Sequence, residues 1–361
     1  MKVESPEHKR KNKKVGWLCT YTPEEVIYAA GFEPYRILPR AEYGGSVEES
    51  LPPNICPYVR KVLAELKKGV HPEMEGVVIT HSCNAMMHLY DALREEANFF
   101  VYLLEVPRRT DHAAVEYYSS ELDQLAEFLG SKGQEVTPAR LQEAVNAYRE
   151  RNHSIKRLLE VTPKHFSDYF TGICGLAEEA ATTLPGEFVQ QVSPLVEKKE
   201  TSYGKNQKEL PSLVLTGGLP PRGMVELLEG QPEFVLYPDN CAGLRYLEKE
   251  IHLPEDCGGS GERLEFLRQL SEAYLQKAPC PRIFDYTLRE EYFNRLLEER
   301  EVKGVVYHDL LFCDLGHYDY LIIKEILEAR GIPLLKVETE LGQEDLGQLK
   351  TRLEAFMEIV V

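Results

Sequence analysis

The chain has 361 residues, enough for two domains of ordinary size. Its 42 Lys plus Arg against 59 Asp plus Glu give a formal net charge of -17, which argues against nucleic acid and anionic membranes as partners, because both reward basic clusters. No apolar run approaches the ~20 residues of a membrane span, and the basic start MKVESPEHKRKNKK leads into no apolar signal segment, so the expected location is the cytoplasm.

KVGWLC (14–19) reads as a short buried strand. Pro23 opens a helix, PEEVIYAAG, that Gly31 closes. PYRIL (34–38) is a second strand, and Cys56-Pro57 begins the helix PYVRKVLAELKKG. GVVIT (76–80) is a strand, NAMMHLYDALREEA (84–97) a helix, and FFVYLLEVP (99–107) a strand that stops at proline. This alternation predicts a parallel sheet flanked by helices. The stripe of Met86, Met87, Leu89 and Leu93 is expected in the core or at an interface.

From about 111 to 183 the apolar spacing turns helical throughout, with Thr137 ahead of Pro138 as a cap. This predicts a helical lobe inside an N-terminal domain of residues 1–192. The polar stretch 193–211 reads as a surface linker. A second α/β domain, 212–361, is then expected from the strands LVLTGG (213–218), FVLY (234–237), VKGVVYH (302–308) and PLLKVET (333–339). Helices PRGMVELLEG, ERLEFLRQLSEAYLQK, LREEYFNRLLEER, DYLIIKEILEARG and QEDLGQLKTRLEAFMEIV separate and close them. The fold class is therefore α/β, with two Rossmann-like or flavodoxin-like domains plus the lobe. TGGLPPRG has glycines after a strand but no phosphate-binding pattern.

The eight cysteines are not expected to pair as disulfides in a reducing compartment; metal binding, catalysis and plain burial stay open. Cys19, Cys83, Cys241 and Cys313 all fall just past strands, where open α/β sheets bind ligands. Cys56 and Cys280 each precede a proline, and Cys56 is placed to cap a helix, where the dipole favours thiolate. Cys174 and Cys257 lack such placement and read as buried or loop residues. No CxxC occurs.

CTYTPEEVIYAAGFEP (19–34), NICPYVR (54–60), GVVITHSCNAMMHLYD (76–91), PDNCAGLR (238–245), KGVVYHDLLFCDLGHYD (303–319) and the closing GIPLLKVETELGQ resemble the 2-hydroxyacyl-CoA dehydratase/benzoyl-CoA reductase D-component family, in order along nearly the whole chain. The resemblance implies two α/β domains with an iron–sulfur cluster between them. By motif, Cys56, Cys83 and Cys313 match the family's three ligands of a [4Fe–4S] cluster. With Cys19, Cys241 and Cys280 added, the chain is similar to the single-subunit branch that carries a double-cubane [8Fe–9S] cluster; Cys174 is the substitute should the second triad differ by one member. An ATP-hydrolysing reductase, itself an iron–sulfur homodimer, then feeds low-potential electrons singly, and the expected protein is an anaerobic homodimer reducing a small molecule. The alternative is the [4Fe–4S] subunit of a 2-hydroxyacyl-CoA dehydratase, a radical lyase. A third possibility is a binding protein whose cysteines hold zinc or nothing.

Reductive chemistry needs proton donors, and the candidates are His81, His317 and Glu24. Glu24 and Glu25 equally suit the first turn of a helix electrostatically. His88 and His308 are expected to be structural, and Arg245 either faces the cluster or forms a surface salt bridge.

Overall fold

The computed structural model describes residues 13–40, 51–161, 172–202, 210–247, 263–341 and 346–360. Two parallel four-stranded sheets organise it. The first contains β1 (Lys14–Trp17), β2 (Glu33–Arg36), β3 (Gly76–Thr80) and β4 (Phe100–Leu104) in the order β2-β1-β3-β4. The second contains β5 (Ser212–Gly217), β6 (Val235–Asp239), β7 (Val302–Leu310) and β8 (Leu334–Thr339) in the order β6-β5-β7-β8. Every pairing is parallel. GVVIT is buried at all five positions, as a strand covered by helices on both faces must be.

The same topology in both halves creates two equivalent switch points, β1/β3 and β5/β7, where successive connections leave in opposite directions. Ligand sites form outside the strand ends at such points. Helices α1 (Glu24–Ala29), α2 (Pro57–Lys67) and α3 (Asn84–Glu96) follow β1, β2 and β3. Gly31, at φ +86°, ends α1 with its N–H on the Tyr28 carbonyl. On α2, Val59, Val62 and Leu63 are buried against the sheet, each such burial contributing about 1.5–3 kcal/mol.

The lobe comprises α4 (His112–Lys132), α5 (Pro138–Val161), α6 (Gly172–Thr182) and α7 (Pro185–Ser202). Asp111 caps α4 by accepting from the Ala114 N–H at 3.0 Å, and the Thr137 hydroxyl accepts from the Arg140 N–H at 3.4 Å. Two sequence expectations change here. Residues 193–202, read as the start of a linker, complete α7, where buried Val192 and Val196 hold the helix against the lobe despite its polar outer face. Residues 203–209 of that stretch lie outside the described residues. The lobe also recruits a helix from the second half, α10 (Arg263–Gln276), whose Phe266, Leu267, Leu270 and Tyr274 join the core of α4 and α5.

The second sheet carries α8 (Arg222–Glu229), the short α9 (Leu244–Leu247), α11 (Tyr286–Glu299), α12 (Asp314–Arg330) and α13 (Leu346–Val360). Helix α12 starts at Asp314, five residues before the apolar periodicity that predicts it, because Asp314 suits the positive end of the dipole. Leu310, at the end of β7, packs into the core of the first sheet's α2/α3 face, so the strand ends of the two sheets meet.

Candidate metal centre

Cys56, Cys83 and Cys313 are the N-caps of α2, α3 and α12. Sequence spacing reveals the cap only at Cys56, through its following proline. Three helix dipoles thus converge with their positive ends on these thiols. The Cys313 thiol donates to Cys56, and Cys83 lies in electrostatic range of both. That hydrogen bond, with help from the N–H groups of Tyr58 and Val59, lowers the Cys56 thiol. The same bond keeps the proton on Cys313 and raises it, with burial adding. Burial raises Cys83 against the N–H groups of Met86 and Ala85.

A second group lies beside the first. Cys19 lies in electrostatic range of Cys280, and Cys280 in range of Cys241. Burial raises the thiols of Cys19 and Cys280; Lys277 and Arg282 oppose it at Cys19, and Arg245 opposes it at Cys280. The groups are continuous: Cys83 feels Cys19, and the Tyr58 hydroxyl feels Arg36, then Cys241, Cys19 and Cys56. All six thiols are free in the structure. Cys174, on α6, packs at the edge of the second sheet's core; burial raises it, and Glu229 and then Cys241 are its charged neighbours. Cys257 lies outside the described residues.

The backbone is shaped around this arrangement. A Cβ on Gly316 would stand 2.6 Å from Asp309 Oδ1, so a side chain there would press on that buried carboxylate. Phe312, just before Cys313, is the described non-glycine residue at positive φ (60°).

His317, on the first turn of α12, has Nδ1 2.5 Å from Oδ2 of the fully buried Asp309, and its ring is partly exposed. Lys336 Nζ lies 2.9 Å from the same oxygen and 3.5 Å from Glu338. Asp309, His317 and Glu338 are close enough to share a cation, but the Lys336 ammonium already sits among the carboxylates. His81 Nδ1 is 2.8 Å from Glu105 at the rim of the first sheet. Glu24, by contrast, is buried in a structural pairing: its Oε1 accepts from Arg151 at 3.2 Å and from the Tyr246 hydroxyl at 2.9 Å, tying α1 to α5 and α9. Glu25 accepts from the Tyr274 hydroxyl at 2.6 Å.

His308 is wholly buried, with Nε2 2.8 Å from the Thr339 hydroxyl; burial pushes it down to about 4, so it is neutral. His88 is exposed and Met86, Leu89 and Leu93 are buried. Arg245 is no surface residue. Its Nε donates to Asp239 at 2.6 Å, and Arg289 reaches the same carboxylate at 3.2 Å. Burial alone would raise Asp239, but these two guanidiniums hold its carboxyl well below the usual carboxylate range. This buried network anchors the turn that carries Cys241, two residues past Asp239. Sequence offers no sign of it beyond the charge types.

Thiolates are soft ligands suited to iron–sulfur clusters and zinc. The backbone N–H groups directed at these sulfurs favour their thiolate forms.

Residues 19–360 match the family described as 2-hydroxyglutaryl-CoA dehydratase, D-component. The chain belongs to this family. Relatives include the (R)-phenyllactyl-CoA dehydratase beta subunit of Clostridium sporogenes, 24% identical, with 96% of this chain and 91% of that protein covered. The (R)-2-hydroxyglutaryl-CoA dehydratase subunit beta of Acidaminococcus fermentans is 22% identical over 96% of this chain and 92% of its own. The lactoyl-CoA dehydratase subunit beta of Anaerotignum propionicum is 21% identical over 96% and 91%. Among the described residues, no helix is long and apolar enough to cross a membrane.

Proposed function

We propose that this family member is an iron–sulfur reductase that holds a double-cubane [8Fe–9S] cluster where its two sheets meet. The observation that carries this reading is the second thiol group, Cys19, Cys241 and Cys280, beside the group Cys56, Cys83 and Cys313. One [4Fe–4S] cluster of the family type needs only one such group. When bound, the cluster supplies single low-potential electrons, delivered to it by an ATP-hydrolysing iron–sulfur reductase, for reduction of a small molecule.

The chain's own residues supply the rest. The N–H groups of Tyr58, Ala85, Met86 and Gly316 point at sulfur and stabilise its negative charge. α2, α3 and the end of β7 bury Cys56 and half-bury Cys83 and Cys313. His317, half exposed, oriented by Asp309 and one helical turn beyond Cys313, can hold a proton at Nε2.

Iron and sulfide analysis after anaerobic reconstitution tests this: about eight irons per chain are expected, and about four end the double-cubane reading. A second reading, the [4Fe–4S] subunit of a 2-hydroxyacyl-CoA dehydratase, is favoured by the relatives' descriptions as dehydratase beta subunits. It predicts about four irons, a homologous second subunit and binding of an acyl-CoA.

A further inference from the structure

Two arginines beside the second thiol group have no carboxylate. Arg36 and Arg282 are each 2% exposed. Arg36 donates from Nη1 to the Cys241 carbonyl at 2.7 Å and lies against the rings of Trp17 (5.0 Å) and Tyr246 (5.2 Å). Arg282, two residues after Cys280, donates to the Pro107 and Val106 carbonyls at 2.8 and 2.6 Å and stacks on Tyr21 at 4.9 Å. Each leaves a buried Nε–H with no acceptor, and neither forms an ion pair among the described residues. Lys277 adds a third positive charge, 4.0 Å from the Tyr21 ring.

A buried guanidinium without a counter-anion costs several kcal/mol. The other fully buried arginines among the described residues obey that rule: Arg151 has Glu24, and Arg289 has Asp239 and Asp319. Carbonyl dipoles and aromatic faces only partly compensate Arg36 and Arg282. Each of the two guanidiniums therefore favours an anion close by. Beside the first group, the charged side chain other than a cysteine that acts on Cys313 is Asp309, and its carboxylate is itself paired with Lys336 at 2.9 Å.

We propose that Arg36 and Arg282 are the built-in counter-charges of the anionic group held by Cys19, Cys241 and Cys280, and that they make this half the one that accepts an electron more readily than the half at Cys56, Cys83 and Cys313. The inference rests on the two-unit reading above. Adding an electron adds negative charge, so a nearby fixed cation favours reduction and a nearby carboxylate opposes it. Both arginines are positioning residues and touch no reacting atom.

The test compares wild type with Arg36→Met, Arg282→Met and the charge-preserving Arg36→Lys. Each is studied as cluster-free protein and after anaerobic loading with iron and sulfide. Without the cluster, both methionine variants should unfold at or above the wild-type temperature, because an uncompensated buried charge is gone. With it, they should release iron to a chelator at least tenfold faster. One of the two reduction steps, followed by electron paramagnetic resonance, should fall by about 59 mV, a tenfold change for one electron. Arg36→Lys should restore the potential. Equal destabilisation of both forms by the methionine substitutions, or unchanged potentials in loaded variants, overturns the proposal while leaving the cluster reading intact. Wild type that takes up only about four irons, or none, removes the reading itself.

Discussion

Asp239 tests how the second sheet holds its cysteines. Its side chain is wholly buried and accepts from Thr216 at 2.8 Å, Arg245 at 2.6 and 2.9 Å, Arg289 at 3.2 Å and Tyr292 at 3.1 Å. Asp239→Asn keeps the shape and removes the charge. Arg289 retains Asp319 at 3.0 Å, whereas Arg245 keeps no carboxylate in ion-pair range among the described residues. Breaking a buried pair from one side costs about 3–5 kcal/mol. With a urea dependence of ~2–3 kcal/mol per molar, the unfolding midpoint should fall by about 1–2 M. Adding Arg245→Met should recover about half of that, because the orphaned charge leaves as well. The sign with pH also follows. Asp239 is held below its unfolded value, so its stabilisation is complete above about pH 4 and is lost as pH falls through the folded value. The asparagine variant lacks this acid-sensitive component. A loss under about 1 kcal/mol, or a double variant no better than the single, refutes the reasoning.

Cys313→Ser should halve the iron content of anaerobically loaded protein, while Cys174→Ser should leave it unchanged; metal analysis checks both. Gly316→Ala places a methyl 2.6 Å from Asp309 Oδ1, and should cost about 1–3 kcal/mol in chemical unfolding together with iron retention. His308 is held neutral at about 4 by burial, so the unfolded chain protonates first and native stability falls as pH drops from 6.5 towards 4. His308→Gln should flatten that decline, measured as urea midpoints at pH 7 and 5. Asp309→Asn should lower turnover on the order of 10²-fold and distort the pH–rate profile if His317 delivers the proton, with little change in iron content.

Much of the fold was legible because its elements carry local signals. GVVIT reads as a strand from β-branched residues alone, and the structure makes it one over the same residues. Cys56-Pro57 reads as a helix start because proline fixes the first turn. Helix α7 was not legible, since its outer face is as polar as a linker and only the lobe supplies a surface for Val192 and Val196. Glu24 shows the same limit in the site. Its place after a strand-end cysteine suits a proton donor, but the partner that claims it, Arg151, is distant in sequence.

By itself the sequence determined two α/β halves, an acidic chain, and thiols at strand ends and helix starts, because backbone preference and periodicity are local. The tertiary structure alone decided that the end of β7 meets the first sheet's helices at Leu310, since crossover connections set which strand ends become neighbours. It also decided where charge is left unbalanced. Arginine and lysine are only surplus or deficit in a composition; Arg36 and Arg282 become a statement about the site once burial has removed water and no carboxylate has followed them in.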